Sequence, residues 1–296
     1  MIKPSWTITI ILAVAAGLIG SLYTISSPVP SDKYYKMRYK VRQAFGLPKF
    51  WAIVPSPDKA IGREEVKCPA AEETIVIVTG GQSNAANNVP VLYEAKSYVV
   101  EWFNNRCYKA IDPLLGANGS AGSIWLALGD RLSSDLNSPV MLINGAMGGT
   151  QFSDWVDKRS NYYNALINRV KSAISEGYAP KLILWHQGET DAESERNMGL
   201  LKNSIETLTS ELITDIPTAR LYLFLATKCI GKYRANGVEN VRSLLVQTAT
   251  NNPKIITGMN TDKLGNDFRW DTCHFNSLGR KAIVEYVNKD IISIVQ

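Results

Sequence analysis

Residues 74–84 read Thr-Ile-Val-Ile-Val-Thr-Gly-Gly-Gln-Ser-Asn. The β-branched run Thr74–Thr79 has no polar alternation, which is the pattern of a strand buried on both faces in a parallel sheet. It runs directly into Gly80 and Gly81, which let the backbone turn sharply, and then into Ser83. A serine just past a buried strand stands at the carboxyl edge of the sheet, where such folds bind ligands. The same Ser-Asn pair would also suit a helix N-terminus, so this stretch alone leaves both roles open.

Further strands are expected at 98–103, 140–144, 182–185 and 221–226, and helices at 123–136, 162–176, 193–213, 238–249 and 277–294. Strands alternating with helices predict a three-layer α/β/α sandwich around a mostly parallel, flavodoxin-like sheet. The folded domain is expected over residues 72–296.

Three other strand ends carry chemistry-bearing residues. After 140–144 comes Gly145-Ala146-Met147-Gly148-Gly149-Thr150. Its glycine pair lets backbone N–H groups approach a ligand oxygen, although a plain strand-to-helix turn would look alike. After 182–185 come His186, Gln187, Gly188, Glu189, Thr190 and Asp191. Polar residues there are costly unless they face a cleft or one another. The carboxamide of Gln187 donates two hydrogen bonds without titrating, which suits an oxyanion site, and a structural network is the alternative. Before the last helix stand Asp271 and His274. A carboxylate three residues ahead of an imidazole can hold one ring nitrogen and leave the other for a nucleophile.

Taken in order, these blocks resemble the SGNH/GDSL hydrolase superfamily, and within it the branch of sialate O-acetylesterase-like carbohydrate acetylesterases. The motifs stand here as Gly81–Asn84, Gly148–Thr150, Trp185–Glu189 and Asp271–His274, and the resemblance covers roughly residues 72–296. It implies the SGNH hydrolase fold, with Ser83 as nucleophile, His274 as base and Asp271 as its orienter. It also implies an oxyanion hole from Ser83, Gly148 (or Gly149) and the Gln187 side chain. Gln82, Asn84, His186 and Glu189 are expected as substrate contacts, and His186 also competes as a base. The implied reaction is removal of an O-acetyl or other short acyl group from a sugar or glycan, without metal or organic cofactor. An O-acetyltransferase using the same triad and a non-catalytic glycan-binding module are the competing expectations.

Composition narrows the field. The chain has 296 residues, 20% charged, 45% hydrophobic, and a formal charge of +5. Much of that excess falls in one short stretch after residue 32, and no nucleic-acid-binding motif accompanies it, so no nucleic-acid partner is expected. Only two histidines exist, so an imidazole mechanism has two candidates. The four cysteines form no CxxC pair, which argues against structural zinc and fits disulfides or buried thiols. Cys229 with Cys273 is the expected pairing, since both should lie near one end of the sheet.

Residues 6–25 carry no charge, and about 20 apolar residues suffice to cross a bilayer as a helix. A membrane anchor or signal sequence is therefore expected over residues 1–30, as a single transmembrane helix preceding the domain. A basic juxtamembrane connector follows over 31–71. Lys33, Lys36, Arg38, Lys40 and Arg42 would by the positive-inside rule hold the domain in the cytoplasm. Cysteine usage argues instead for export to the periplasm or exterior, which is the favoured expectation.

Overall fold

A computed structural model describes residues 60–193, 197–229 and 236–295. The expected membrane anchor, and most of the expected connector, lie outside these residues. Among the described residues no helix is long and apolar enough to cross a membrane.

Seven strands form one sheet: β1 (Ile75–Gly81), β2 (Val99–Phe103), β3 (Arg106–Lys109), β4 (Val140–Asn144), β5 (Pro180–His186), β6 (Arg220–Leu225) and β7 (Ile255–Asn260). Their order is β3-β2-β4-β1-β5-β6-β7. Every pairing is parallel except β2 with β3. The helices are α1 (Ile124–Leu136), α2 (Phe152–Val156), α3 (Tyr162–Ser175), α4 (Glu189–Glu193), α5 (Met198–Asp215), α6 (Gly237–Thr250) and α7 (Ser277–Val295).

The continuous apolar strands are explained by two covered faces. Ile77, Leu142, Leu182, Leu184, Tyr222 and Phe224 point into one core shared with α1 and α7. Their neighbours Val76, Val78, Met141, Ile143, Ile183 and Leu223 are also buried, and the period of two sends them to the opposite layer. There α2 packs on α3 and α5, and α5 on α6.

Two strands escaped the sequence expectations. The β3 edge strand is four residues long with exposed ends, too short to show a pattern. In β7 a glycine interrupts the apolar run, because Gly258 leaves room for the Tyr222 ring; a Cβ there would come within 2.2 Å of it. The helix expected over 193–213 is instead two pieces, α4 and α5, with Asn197 capping the second by accepting from Gly199 N–H at 2.8 Å.

Residues just ahead of position 72 also pair with the sheet. Val66 N–H donates to Cys107 O and Lys109 N–H to Glu64 O, both at 2.9 Å, so this segment pairs with the β3 edge. A Cys68–Cys107 disulfide fastens it there. Arg63 reaches the fully buried Glu101 at 2.6 Å. The second disulfide joins Cys229 to Cys273, the pairing expected from sequence.

Candidate active site

The chain leaves β1 toward β2 and β4 on one side and later continues from β5 toward β6 and β7 on the other. Neighbours β1 and β5 therefore flank the point where strand order reverses, the usual ligand crevice of such sheets. The loops after β4, β1 and β5 lie side by side there.

Glycine builds the first loop. A Cβ on Gly80 would sit 2.3 Å from the Trp185 indole, and one on Gly81 only 2.0 Å from His186 O. Gly81 also has φ +119°, a region that side chains disfavour. Their absence lets β1 and β5 close up at the site. Trp185 then donates its Nε1–H to Gln187 Oε1 at 3.2 Å, which fixes the direction of that carboxamide.

Past Gly81, Ser83 opens a short 3-10 turn over Ser83–Ala85. Ser83 is partly exposed, while Gln82 and Asn84 on either side are buried. Asn84 is a hub. Its Nδ2 donates to Glu189 Oε1 at 2.9 Å and to Cys273 O at 3.3 Å, and its Oδ1 accepts from Phe275 N–H at 3.2 Å. Cys273 and Phe275 flank His274, so this one amide fastens the serine loop to the histidine loop. A second tie runs through Asn88, whose Nδ2 donates to Ser83 O at 2.7 Å and whose O accepts from Trp270 Nε1 at 3.1 Å.

The histidine loop is a tight turn. Asp271 Oδ1 accepts from Cys273 N–H at 3.0 Å and His274 N–H at 2.6 Å, and Oδ2 lies 2.6 Å from His274 Nδ1. Thr272 takes φ +72° to allow this. That conformation costs about 1–2 kcal/mol, and the three bonds to one carboxylate offset it. Burial works to raise the Asp271 pKa, but the bonds from His274 and the two backbone N–H groups outweigh it and hold the carboxyl below its ordinary value. A carboxylate on Nδ1 sets the ring so that Nε2 is left for another partner. Trp270 stacks on the ring with centroids 6.0 Å apart. From behind, Arg269 bonds Cys273 O and Thr261 O and lies over the Phe275 ring. No hydrogen bond joins Ser83 Oγ to the His274 ring in this structure; such contacts often tighten only around substrate.

The third strand end brings Gly148 beside the serine. A Cβ at Gly148 would lie 3.4 Å from Ser83 Cβ and 3.4 Å from Asn118 Nδ2. The Gly148 N–H, an expected oxyanion donor, here donates to Asn118 Oδ1 at 2.9 Å.

The four residues expected as substrate contacts sit deep in the site. Gln82, Asn84, His186 and Glu189 are at most 4% exposed. With Gln187 they form the floor beneath Ser83. Gln82 Oε1 accepts from Gly188 and Thr190 N–H, at 3.4 and 3.2 Å. His186 points to the α1/α7 side, against Phe224 and Phe275, with Nε2 3.1 Å from Thr261 Oγ1. Strand alternation put it there, and it cannot serve as the competing base. Burial, with Arg269 adding to it, pushes its pKa down to about 3. Burial likewise pushes Glu189 up to about 8, against the pull of Asn84. At neutral pH the two are therefore uncharged, and their 3.6 Å approach is not an ion pair.

This floor titrates. Glu189 binds its proton more tightly when folded, so the stability it contributes is full below about pH 4.5 and is lost as pH rises through about 8. Glu189→Gln keeps an acceptor for Asn84 but cannot ionise. Over that window the melting temperature of the wild type is expected to fall relative to the variant. Parallel melting curves across the window would contradict a protonated Glu189.

Sequence reasoning missed Asn88, Asn118, Arg269 and Trp270. Only Trp270, next to Asp271, carried a signal, since a tryptophan in a polar loop suggests a surface in use. Among the described residues no cluster of histidine, cysteine or carboxylate side chains is placed to hold a metal ion.

The doubly covered parallel sheet and the Ser, Gly, Gln and Asp-x-x-His loops at its carboxyl edge define a carboxylic ester hydrolase on an SGNH-type scaffold. The chain belongs to the family described as carbohydrate esterase, sialic acid-specific acetylesterase, whose pattern matches residues 73–292. Its fold is similar to that of a protein from Arabidopsis thaliana, with TM-score 0.62 and 17% identity over 75% of this chain and 98% of the other. It is also similar to a carbohydrate acetylesterase from Xanthomonas citri, with TM-score 0.50 and 14% identity over 74% of this chain and 56% of that one. No curated protein sequence matches the chain.

Proposed function

We propose that this esterase removes O-acetyl groups from sugars or glycans through an acyl-enzyme on Ser83. The observation that carries the proposal is the Asn84 hub, which joins the serine loop to both neighbours of an imidazole already held by Asp271. His274 Nε2 takes the Ser83 proton as Oγ attacks the ester carbonyl, and it returns that proton to the departing sugar hydroxyl. Water, activated by the same imidazole, then releases acetate.

The developing oxyanion needs donors. Ser83 N–H opens a turn, where the first N–H groups lack helical partners. Gln187 Nε2 is buried without an acceptor. An unpaired buried amide costs about 1–3 kcal/mol, which the substrate oxygen would offset. A donor from the Gly148–Gly149 pair completes the hole. Gln187→Ala is expected to lower kcat about 10²- to 10³-fold while leaving measurable turnover. A loss under threefold would remove Gln187 from the hole.

Two disulfides favour an oxidising compartment, and with the apolar N-terminal run they support an exported, membrane-anchored domain. Acetate release from a panel of acetylated glycans, with a fluorophosphonate probe labelling Ser83, tests the proposal. Acetyl transfer to an added glycan in place of acetate release would favour the transferase. No labelling and no release would leave a binding module.

A further inference from the structure

We propose that Asn118 supplies a side-chain N–H to the oxyanion beside Ser83, with its carboxamide aimed by the Gly148 backbone. This rests on the acyl-transfer site proposed above.

The orientation of the amide is forced. Gly148 N–H can donate only to an oxygen, so the atom 2.9 Å from it is Oδ1, and the NH₂ is the other prong of the planar fork. Among the described residues no protein group accepts from that Nδ2. The amide and the serine flank the same small space. Asn118 Nδ2 and Ser83 Cβ each lie 3.4 Å from the one point that a Gly148 Cβ would fill. Glycine leaves that point free of a side chain, which leaves room for an acyl group beside Ser83 and the amide.

The mount is rigid. Asn118 N–H donates to Ala146 O at 3.1 Å, and its O accepts from Asn87 N–H at 3.0 Å. It is thereby pinned to both the glycine loop and the serine loop. Gly119, at φ +93°, lets the chain pass where a Cβ would lie 2.3 Å from Asn87 O. Asn118, Gly148 and Ser83 are all partly exposed, whereas Gln187 lies on the buried floor. An amide donor at the rim meets an incoming ester directly. It also explains the use of Gly148 N–H, which is spent on orienting a better-placed N–H.

Three forms of the full-length protein decide the matter, with acetate-release kinetics and phosphonylation rate as readouts. Asn118→Ala is expected to lower kcat about 10²-fold with little change in KM, and to slow fluorophosphonate labelling in parallel. Asn118→Asp keeps an acceptor for Gly148 N–H but has no N–H, so it should do no better than alanine. Two results would overturn the inference. If alanine matched or exceeded the wild type, Oδ1 would merely occupy the Gly148 donor. If Asp restored activity, the residue would only position the glycine loop. A wild type that neither labels nor releases acetate would instead strike the acyl-transfer proposal itself. An active, Ser83-dependent wild type with an unimpaired Asn118→Ala would strike this inference alone.

Discussion

Ser83→Ala is expected to abolish covalent labelling and to lower kcat by about 10⁶, the loss seen when a triad nucleophile is removed. The change should be clean. Among the described residues Ser83 Oγ has no hydrogen-bond partner, and the bonds that shape its loop come from Asn84, Asn88 and the backbone, none of which needs the hydroxyl. The melting temperature should therefore stay within a degree or two of the wild type. Residual turnover would come from the oxyanion donors acting on water. Hydrolysis within tenfold of the wild type, with the fold intact, would dismiss Ser83 as nucleophile.

The second large effect concerns Asp271. In Asp271→Asn the oxygen can still accept from Cys273 and His274 N–H, so the turn should survive. The amide, however, would present an N–H to His274 Nδ1. That nitrogen would have to become an acceptor, moving the ring proton to Nε2, where it prevents the imidazole from taking a proton from Ser83. The wrong tautomer in an established triad costs about 10⁴ in kcat, and a similar fall is expected here. Unchanged melting together with a parallel loss of labelling rate would mark this as a tautomer effect. A kcat within tenfold of the wild type would mean that the carboxylate serves only the turn.

Much of the fold could be read from the chain because burial on both faces writes a continuous apolar run. The Val140–Asn144 run was read to the residue, and β1 was found within two residues. What stayed hidden was fixed by tertiary partners. Gly258 looks like a break in a strand until the Tyr222 ring supplies the reason for it. At the site, residue types pointed to a chemistry but not to the side of the sheet. Trp185 and His186 are adjacent, yet alternation sends the indole toward Gln187 and the imidazole toward Phe224. Read along the sequence alone, His186 stands at the edge of a cleft. Asn118 was invisible for a different reason. Its value lies in one hydrogen bond to a glycine 30 residues later, and no periodicity records such a bond.

The Asn84 amide spans separations of 189 and 191 residues to Cys273 and Phe275. The serine loop and the histidine loop are thus joined only once the two ends of the domain have come together. On the proposed mechanism, a chain whose final helix has not docked would lack the imidazole beside Ser83, so turnover would report that the domain is complete.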